Sequence, residues 1–417
     1  MNNPLTGLII FIALLVQSSR VALHGLIGVL SSNCLALVFG FDEGLVFGGL
    51  FGYNAVLCGL ALATFDNGEV HTGWNVTNAV AVAGTSAASA IMFVALGKLL
   101  APFKTPPFTL PFNISMLWYM VATSGIRTVS MGPVVTPGIA SYNKALDHPL
   151  PDNVDVIQGI FKGVGQIFLA GDLAPSILIL IGLGVCSRIT ALAALLGSAV
   201  GLSTGILTGA DAEKLAKGLY GYNASLTSAA IFGMFYAPSV SSFVVAILAA
   251  ILTTVSQEAV TTLLLPYGLP VATLPFCFVT CLLVLIQGTN QLLIAIPLET
   301  MTVPEDHWAR ISIIRRIFSF LEQILHGASA TNRGYRHYSA RTFGRRNLAV
   351  LEDMFSSVQN EAGLAAPRDV ASLMHRMDDR VSPDVLQALI RKIKVLLNRK
   401  VPRDLCCCLV ILWLATI

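Results

Sequence analysis

The chain has 417 residues, of which 55% are hydrophobic and 12% are charged. Soluble domains carry about 25% charged residues, so this composition excludes a disordered chain and argues against an ordinary soluble enzyme. The charge is also uneven, because residues 1–300 hold 21 charged side chains with a net charge of −3, whereas residues 301–417 hold 28 with a net charge of +6. We therefore expect a membrane-embedded body followed by a polar tail.

Apolar segments follow one another through the body, separated by glycine, proline and charged residues. A helix that crosses a membrane needs about 20 apolar residues, and several of these segments are shorter. We interpret the short ones as half-helices, which persist inside a membrane only where they are buried in protein or line a cavity. The predicted segments are 5–17, 22–40, 44–65, 78–101, 108–124, 157–170, 174–187, 190–208, 217–236, 240–265 and 271–287.

Two motifs occur twice, in the same order. Phe51-Gly-Tyr-Asn-Ala-Val-Leu returns 169 residues later as Tyr220-Gly-Tyr-Asn-Ala-Ser-Leu. Phe108-Thr-Leu-Pro-Phe returns 164 residues later as Ala272-Thr-Leu-Pro-Phe. These matches indicate an internal duplication, and membrane proteins built from such repeats place the substrate site at the repeat interface.

The duplication divides the chain unevenly. We match the Pro4 region to the Pro175 region, which leaves segment 157–170 of the second half without a counterpart in the first. That counterpart would precede Pro4, where the chain begins. The predicted domains are a first repeat at 1–124 that lacks its first helix, a connecting loop at 125–156, a second repeat at 157–300, a helical tail at 301–404 and a short apolar C-terminus at 405–417.

The candidate functional residues of the body are polar but uncharged. Thr109 and Thr273 each precede a Leu-Pro-Phe, and proline removes a backbone donor and breaks a helix. Asn54 and Asn223 follow the paired Gly-Tyr, and Gln166 lies within what we predict to be an apolar helix. A buried amide needs hydrogen-bond partners. These groups either tie helices together or line a shared pathway.

No catalytic constellation, metal-ligand spacing or phosphate-binding loop stands out, so we expect no enzyme activity, no cofactor and no nucleic-acid partner. A duplicated pathway of threonine, glutamine and aromatic residues suits a neutral polar solute, because an ion would need charges or a carbonyl cage.

These residues also resemble a known family. Leu269-Pro-Val-Ala-Thr-Leu-Pro-Phe fits the urea transporter signature Leu-Pro-x-x-Thr-x-Pro-Phe, and Thr105-Pro-Pro-Phe-Thr-Leu-Pro-Phe fits it except at Thr105. Gly163-Val-Gly-Gln-Ile and Pro297-Leu-Glu-Thr-Met-Thr-Val-Pro-Glu are similar to urea transporter segments too. The resemblance covers about residues 2–306.

The resemblance implies an all-α membrane protein of two inverted repeats with re-entrant half-helices. It also implies a homotrimer in the lipid bilayer with passive, channel-like urea flux through a pore in each subunit. It assigns the two threonines to the narrow middle of the pore, an amide and its neighbour to one mouth, and two aromatic–leucine pairs to slots around the flat solute. The implied urea-binding residues are Thr109, Thr273, Gln166, Ile167, Tyr53, Leu57, Tyr222 and Leu226.

The sequence departs from the family pattern at its beginning. A Gly-x-x-Gln helix is expected before Pro4, and from its absence we expect the chain as given to conduct poorly. Two alternatives therefore stay open. One is a related pore for other small neutral solutes such as amides, ammonia or water; the other is a non-conducting membrane scaffold that acts through its tail. We expect a multi-pass protein of the plasma membrane with a cytoplasmic tail.

Overall fold

The computed structural model describes residues 3–65, 76–124, 153–287 and 293–309. The predictions for the interval 125–152 and for the tail beyond residue 309 lie outside these ranges. Within them the chain is helical, with two isolated β-bridges and no β-strand. The helices are α1 (Pro4–Gln17), α2 (Ser19–Val38), α3 (Glu43–Phe47), α4 (Gly52–Thr64), α5 (Val76–Leu100), α6 (Leu110–Ser124), α7 (Asn153–Gly165), α8 (Leu173–Cys186), α9 (Arg188–Leu207), α10 (Ala212–Ala216), α11 (Tyr222–Ile231), α12 (Val240–Leu264) and α13 (Leu274–Leu285).

The lengths of these helices repeat. Helices α1 and α8 have 14 residues each, α2 and α9 have 20, α3 and α10 have 5, and α5 and α12 have 25. Their caps repeat as well, because Ser18 and Ser187 cap α2 and α9, and Asp42 and Asp211 cap α3 and α10. These equal lengths and caps agree with a duplication that pairs α1–α6 with α8–α13, although α4 and α6 are each three residues longer than α11 and α13.

The register of the first helix differs from the prediction. The capping serines are 169 residues apart, and with this offset Pro4 aligns with Leu173, the first residue of α8. The predicted match of Pro4 with Pro175 is two residues out of register, because both prolines lie in the first helical turn, where proline is tolerated at more than one position.

In each repeat a short helix precedes a longer one, where the sequence predicted a single apolar segment. Segment 44–65 contains α3 and α4, and segment 217–236 follows α10 and contains α11. The interruptions include Gly49 and Gly218, both at φ 73°. Glycine adopts this left-handed conformation without steric cost, so the chain turns there and starts a new helix. Helix α7 also begins earlier than expected, at Asn153 inside the predicted connecting loop.

In the part of the chain that the structure describes, four helical stretches are long and apolar enough to cross a membrane: Ser19–Val38, Val76–Phe103, Arg188–Leu207 and Val240–Tyr267. A fifth span is possible if the bent pair Asp155–Phe168 and Leu173–Cys186, which turns by 72°, is one broken span. Helices α4 and α13 are apolar but shorter, as expected for half-helices.

Small residues bring the helices of each repeat together. A Cβ atom on Gly28 of α2 would overlap the carbonyl oxygen of Ala55 in α4. At the equivalent place, a Cβ atom on Gly197 of α9 would lie 2.5 Å from the carbonyl oxygen of Ala224 in α11. Membrane helices approach closely where such small residues face each other, and here this contact buries the half-helices α4 and α11.

The described residues belong to two units, one that includes residues 3–65 and 303–305 and one that includes 296–302 and 306–309. In the described part of the second unit, the backbone N–H of Thr302 donates to His307 Nε2 at 3.1 Å. In the first unit, Glu305 binds the start of α9: Ser187 Oγ donates to one carboxylate oxygen at 2.7 Å, and the N–H of Ile189 donates to the other at 3.0 Å. Burial opposes the charge, but these hydrogen bonds outweigh it and hold the pKa of Glu305 below its usual 4.5.

Candidate functional site

The two signature threonines lie where α6 and α13 begin. Each helix is preceded by a left-handed residue, Phe108 at φ 48° in one repeat and Ala272 at φ 47° in the other. A proline follows in the first helical turn, where its missing N–H would have no intrahelical partner anyway. This geometry ends the preceding loop and sets Thr109 and Thr273 at the helix entrances, as the duplicated motif predicted.

The threonine hydroxyls meet at the centre of the first unit. Thr109 Oγ1 and Thr273 Oγ1 are 2.6 Å apart, and the two residues are 7% and 4% exposed. A separation of 2.6 Å is a short hydrogen bond between hydroxyls. The two repeats therefore bring together side chains that are 164 residues apart in sequence.

Asn113 and Cys277 surround this pair. Asn113 Nδ2 donates to the carbonyl oxygen of Thr109 at 2.7 Å and to Thr273 Oγ1 at 2.9 Å, while Asn113 Oδ1 accepts from the backbone N–H of Thr273 at 3.0 Å. Cys277 Sγ lies 3.1 Å from Thr109 Oγ1. Sequence reasoning missed both residues, although the repeat offset already placed them at equivalent positions.

The paired tyrosines and asparagines hold the two left-handed loops. In the first repeat, Tyr53 Oη and Asn54 Nδ2 both donate to the carbonyl oxygen of Phe108, at 2.5 and 3.3 Å. In the second repeat, Tyr222 Oη and Asn223 Nδ2 donate to the carbonyl oxygen of Ala272, at 2.8 and 3.1 Å. The duplicated Tyr-Asn therefore ties helices to loops, one of the two readings that the sequence left open.

A cavity of about 280 Å³ leads to one side of the threonine pair. Five of the eight predicted site residues line it: Leu57, Gln166, Ile167, Tyr222 and Thr273. The lining of this cavity does not include the other three, Thr109, Tyr53 and Leu226. Leu57 of the first repeat thus shares the cavity with Tyr222 of the second, rather than with its predicted partner Tyr53.

Gln166 lies at the end of the helical run that the sequence predicted, in its 3-10 turn rather than in the α-helix itself. Helix α7 ends at Gly165, and Gln166 begins a 3-10 turn that closes at Leu169, which is left-handed at φ 56°. Its amide Nε2 donates to the carbonyl oxygen of Lys217 at 3.0 Å, so the side chain is held at the cavity wall. Nothing in the sequence indicated this turn, because Gln166 stands in an apolar run and no proline marks the end of α7.

The cavity also has polar lining residues that sequence reasoning missed. Tyr220 Oη donates to the Glu258 carboxylate at 3.0 and 3.1 Å, and Gln257 Nε2 donates to the carbonyl oxygen of Leu219 at 2.6 Å. All four residues line the cavity together with Lys214. Adjacent Gln257 and Glu258 inside the otherwise apolar α12 were the available signal, because polar residues in membrane helices usually face a cavity or the protein interior.

Apolar helices of spanning length, helices too short to span, and an uncharged polar pair at the repeat junction define an all-α, multi-pass membrane protein. The family model described as "UT: Urea transporter" matches residues 1–288. The chain is 30% identical over 306 residues to proteins named Urea transporter 1 from Ovis aries, Capra hircus and Mus musculus, and the match covers 73% of this chain and 78% of each relative. The chain therefore belongs to the urea transporter family, which is a family of transporters rather than enzymes.

Proposed function

We propose that this protein conducts urea passively across the plasma membrane, as a channel, through a pore in each subunit of a homotrimer of inverted repeats. The observation that carries the proposal is the pairing of Thr109 with Thr273 at 2.6 Å, at the end of a cavity that Gln166 and Ile167 also line. Membership in the urea transporter family and the relatives named Urea transporter 1 support urea as the solute.

At the mouth, Gln166 binds urea through its side-chain oxygen. Its Nε2 is engaged by the carbonyl oxygen of Lys217, which leaves Oε1 as the acceptor for a urea N–H. Ile167 supplies an apolar wall beside it. Leu57 and Tyr222 form the flat slot of this cavity, while the pairings of Tyr53 with Leu57 and of Tyr222 with Leu226 stay predictions.

At the centre, the threonines exchange hydrogen bonds with the solute. Two oxygens 2.6 Å apart leave no room for a urea molecule between them, so urea passes beside the pair while the hydroxyl hydrogens of Thr109 and Thr273 rotate to bind it. This exchange needs no charge, no ATP and no ion gradient. We place the tail on the cytoplasmic side, because its net charge of +6 suits the anionic lipids of that leaflet.

The test is urea efflux from vesicles that contain the purified full chain. We expect urea permeability above that of empty vesicles, unchanged when sodium or proton gradients are removed. Flux that collapses without a gradient rejects the passive mechanism. Formamide, ammonia or water fluxes that rise while urea flux does not would favour a related pore, and the absence of any flux from a folded oligomer would favour a scaffold.

A further inference from the structure

The two central threonines, Thr109 and Thr273, have chemically different neighbours. Asn113, one turn into α6, and Cys277, one turn into α13, occupy equivalent positions of the two repeats. An amide can donate two hydrogen bonds and accept two, whereas a thiol donates and accepts only weakly. The two threonines between them therefore have different neighbours.

The orientation of the Asn113 amide follows from its backbone partners. Its nitrogen lies 2.7 Å from the carbonyl oxygen of Thr109, which can only accept, and its oxygen lies 3.0 Å from the backbone N–H of Thr273, which can only donate. A flipped amide would place two acceptors together at the first contact and two donors together at the second. The nitrogen atom of Asn113 consequently has one further hydrogen to donate.

That second hydrogen goes to Thr273. Asn113 Nδ2 has two other neighbours, Thr273 Oγ1 at 2.9 Å and Cys277 Sγ at 3.7 Å, and the hydroxyl oxygen is both nearer and the better acceptor. Thr273 Oγ1 has two lone pairs; Asn113 occupies one, and the Thr109 hydroxyl, 2.6 Å away, occupies the other once a solute takes the hydrogen of Thr273. The group that Thr273 retains for a solute in the cavity is its hydrogen.

Thr109 has the opposite hydrogen-bonding role. The residue equivalent to Asn113 on its side is Cys277, whose sulfur lies 3.1 Å from Thr109 Oγ1 and is a weak partner. The oxygen of Thr109 thus keeps a lone pair. In the empty protein the hydrogens run from Asn113 to Thr273, from Thr273 to Thr109, and from Thr109 to Cys277. With a solute present, the hydroxyl hydrogens rotate while the oxygens stay in place.

We infer that Asn113 is a positioning residue that makes Thr273 a hydrogen-bond donor to the carbonyl oxygen of the solute and leaves Thr109 as the acceptor of its N–H. The constriction thereby selects planar solutes that carry a strong acceptor and an N–H donor in line. This inference rests on the proposed function and deepens it, because it assigns a different chemical role to each of two identical side chains.

The experiment compares urea with thiourea, which has the same donors but a weaker acceptor, in vesicles that contain the full chain. In Asn113→Cys, a change between side chains of similar size, Thr273 Oγ1 loses its amide donor and becomes free to accept. We expect the ratio of urea flux to thiourea flux to fall about threefold or more, since one hydrogen bond to the acceptor is no longer enforced. Thr280→Val, on the same helix as Thr273, serves as the control and leaves the ratio unchanged.

The exchange variant Asn113→Cys/Cys277→Asn moves the amide to the other repeat, where it donates to Thr109 by the same geometry. We expect it to restore the ratio, a rescue that a purely structural role for Asn113 does not predict. An unchanged ratio in folded Asn113→Cys, or a ratio that the exchange fails to restore, overturns the inference.

If Asn113→Cys does not fold, Cys277→Asn alone decides the question. Both threonines are then donors and no acceptor remains for the solute N–H, so urea flux falls about tenfold; unchanged flux overturns the inference. A wild-type protein without urea flux overturns the proposed function as well, whereas wild-type flux with insensitive variants overturns only the role of Asn113.

Discussion

Replacing either central threonine by valine should slow urea without preventing folding. Valine keeps the branched shape of threonine and exchanges the hydroxyl for a methyl group. A urea molecule at the dry centre has given up water, and each hydrogen bond that is not replaced costs about 1–3 kcal/mol. A loss of about 1.4 kcal/mol at the barrier slows transit tenfold, so we expect roughly tenfold lower flux from Thr109→Val and from Thr273→Val.

The two variants should differ in stability. Thr273→Val removes the acceptor of Asn113 Nδ2 at 2.9 Å and leaves this buried N–H only the weak acceptor Cys277 Sγ at 3.7 Å, which costs about 1–3 kcal/mol. Thr109→Val removes the bond between the threonines and a contact with the Cys277 thiol, and leaves no amide donor without a partner. We therefore expect Thr273→Val to unfold at the lower temperature of the two.

The measurement is urea flux per folded protein, with thermal unfolding recorded on the same samples. Thr280→Val is the matched control, because Thr280 is fully buried on α13 and its hydroxyl has no hydrogen-bond partner in the described part of the chain. It should conduct like the wild type. Normal flux per folded protein in both Thr109→Val and Thr273→Val would refute the reasoning and remove the threonines from the pore.

Three further substitutions test the framework around the site. Gly28→Ala should prevent close packing of α2 on α4 and lower the yield of folded protein. In the control Gly84→Ala, the added Cβ atom meets no atom within 4 Å, so this change should be neutral or stabilising by up to about 1 kcal/mol. Equal yields of the two variants would contradict the packing argument. Glu305→Gln should unfold at a lower temperature than the wild type at neutral pH. Because the folded pKa of Glu305 is lowered, the stabilisation that Glu305 provides is fully present above the unfolded pKa and is lost as pH falls through the folded pKa. The difference in unfolding temperature between the wild type and Glu305→Gln should therefore shrink in that acidic range. A difference that stays constant with pH would count against the assignment. Tyr222→Phe should cost about 1 kcal/mol of stability through one lost hydrogen bond, and Tyr267→Phe, whose side chain is 58% exposed, should cost nothing measurable in the same unfolding assay.

The duplicated motif indicated equivalent places for Thr109 and Thr273, whose hydroxyls lie 2.6 Å apart, and the role that the resemblance gives them in a pore stays a prediction. The resemblance assigned Gln166 and Ile167 to a pore mouth, and both line a cavity together with Thr273. The sequence did not predict where α7 ends, since the left-handed residue that stops the helix is Leu169. A leucine within an apolar run cannot be recognised from the sequence as left-handed, because the surrounding packing determines its backbone conformation.

The sequence also left the roles of the amides undecided. Asn54 and Asn223 support loops through contacts with Phe108 and Ala272, and no local pattern distinguishes this from lining a pathway. Sequence reasoning did not single out Asn113. Its contacts with Thr273, 160 residues away, depend on how the two repeats dock, which is a tertiary property.

A comparison of the two halves of the chain shows which substitutions their shared backbone tolerates. The same left-handed turn after α5 and α12 is made by Lys104 at φ 50° in one half and by Gly268 at φ 64° in the other. Likewise, a position beside the central pair is filled by asparagine once and by cysteine once. Each such difference identifies a replacement that the shared backbone already accommodates, so a designer can choose mutations for one half by copying the other.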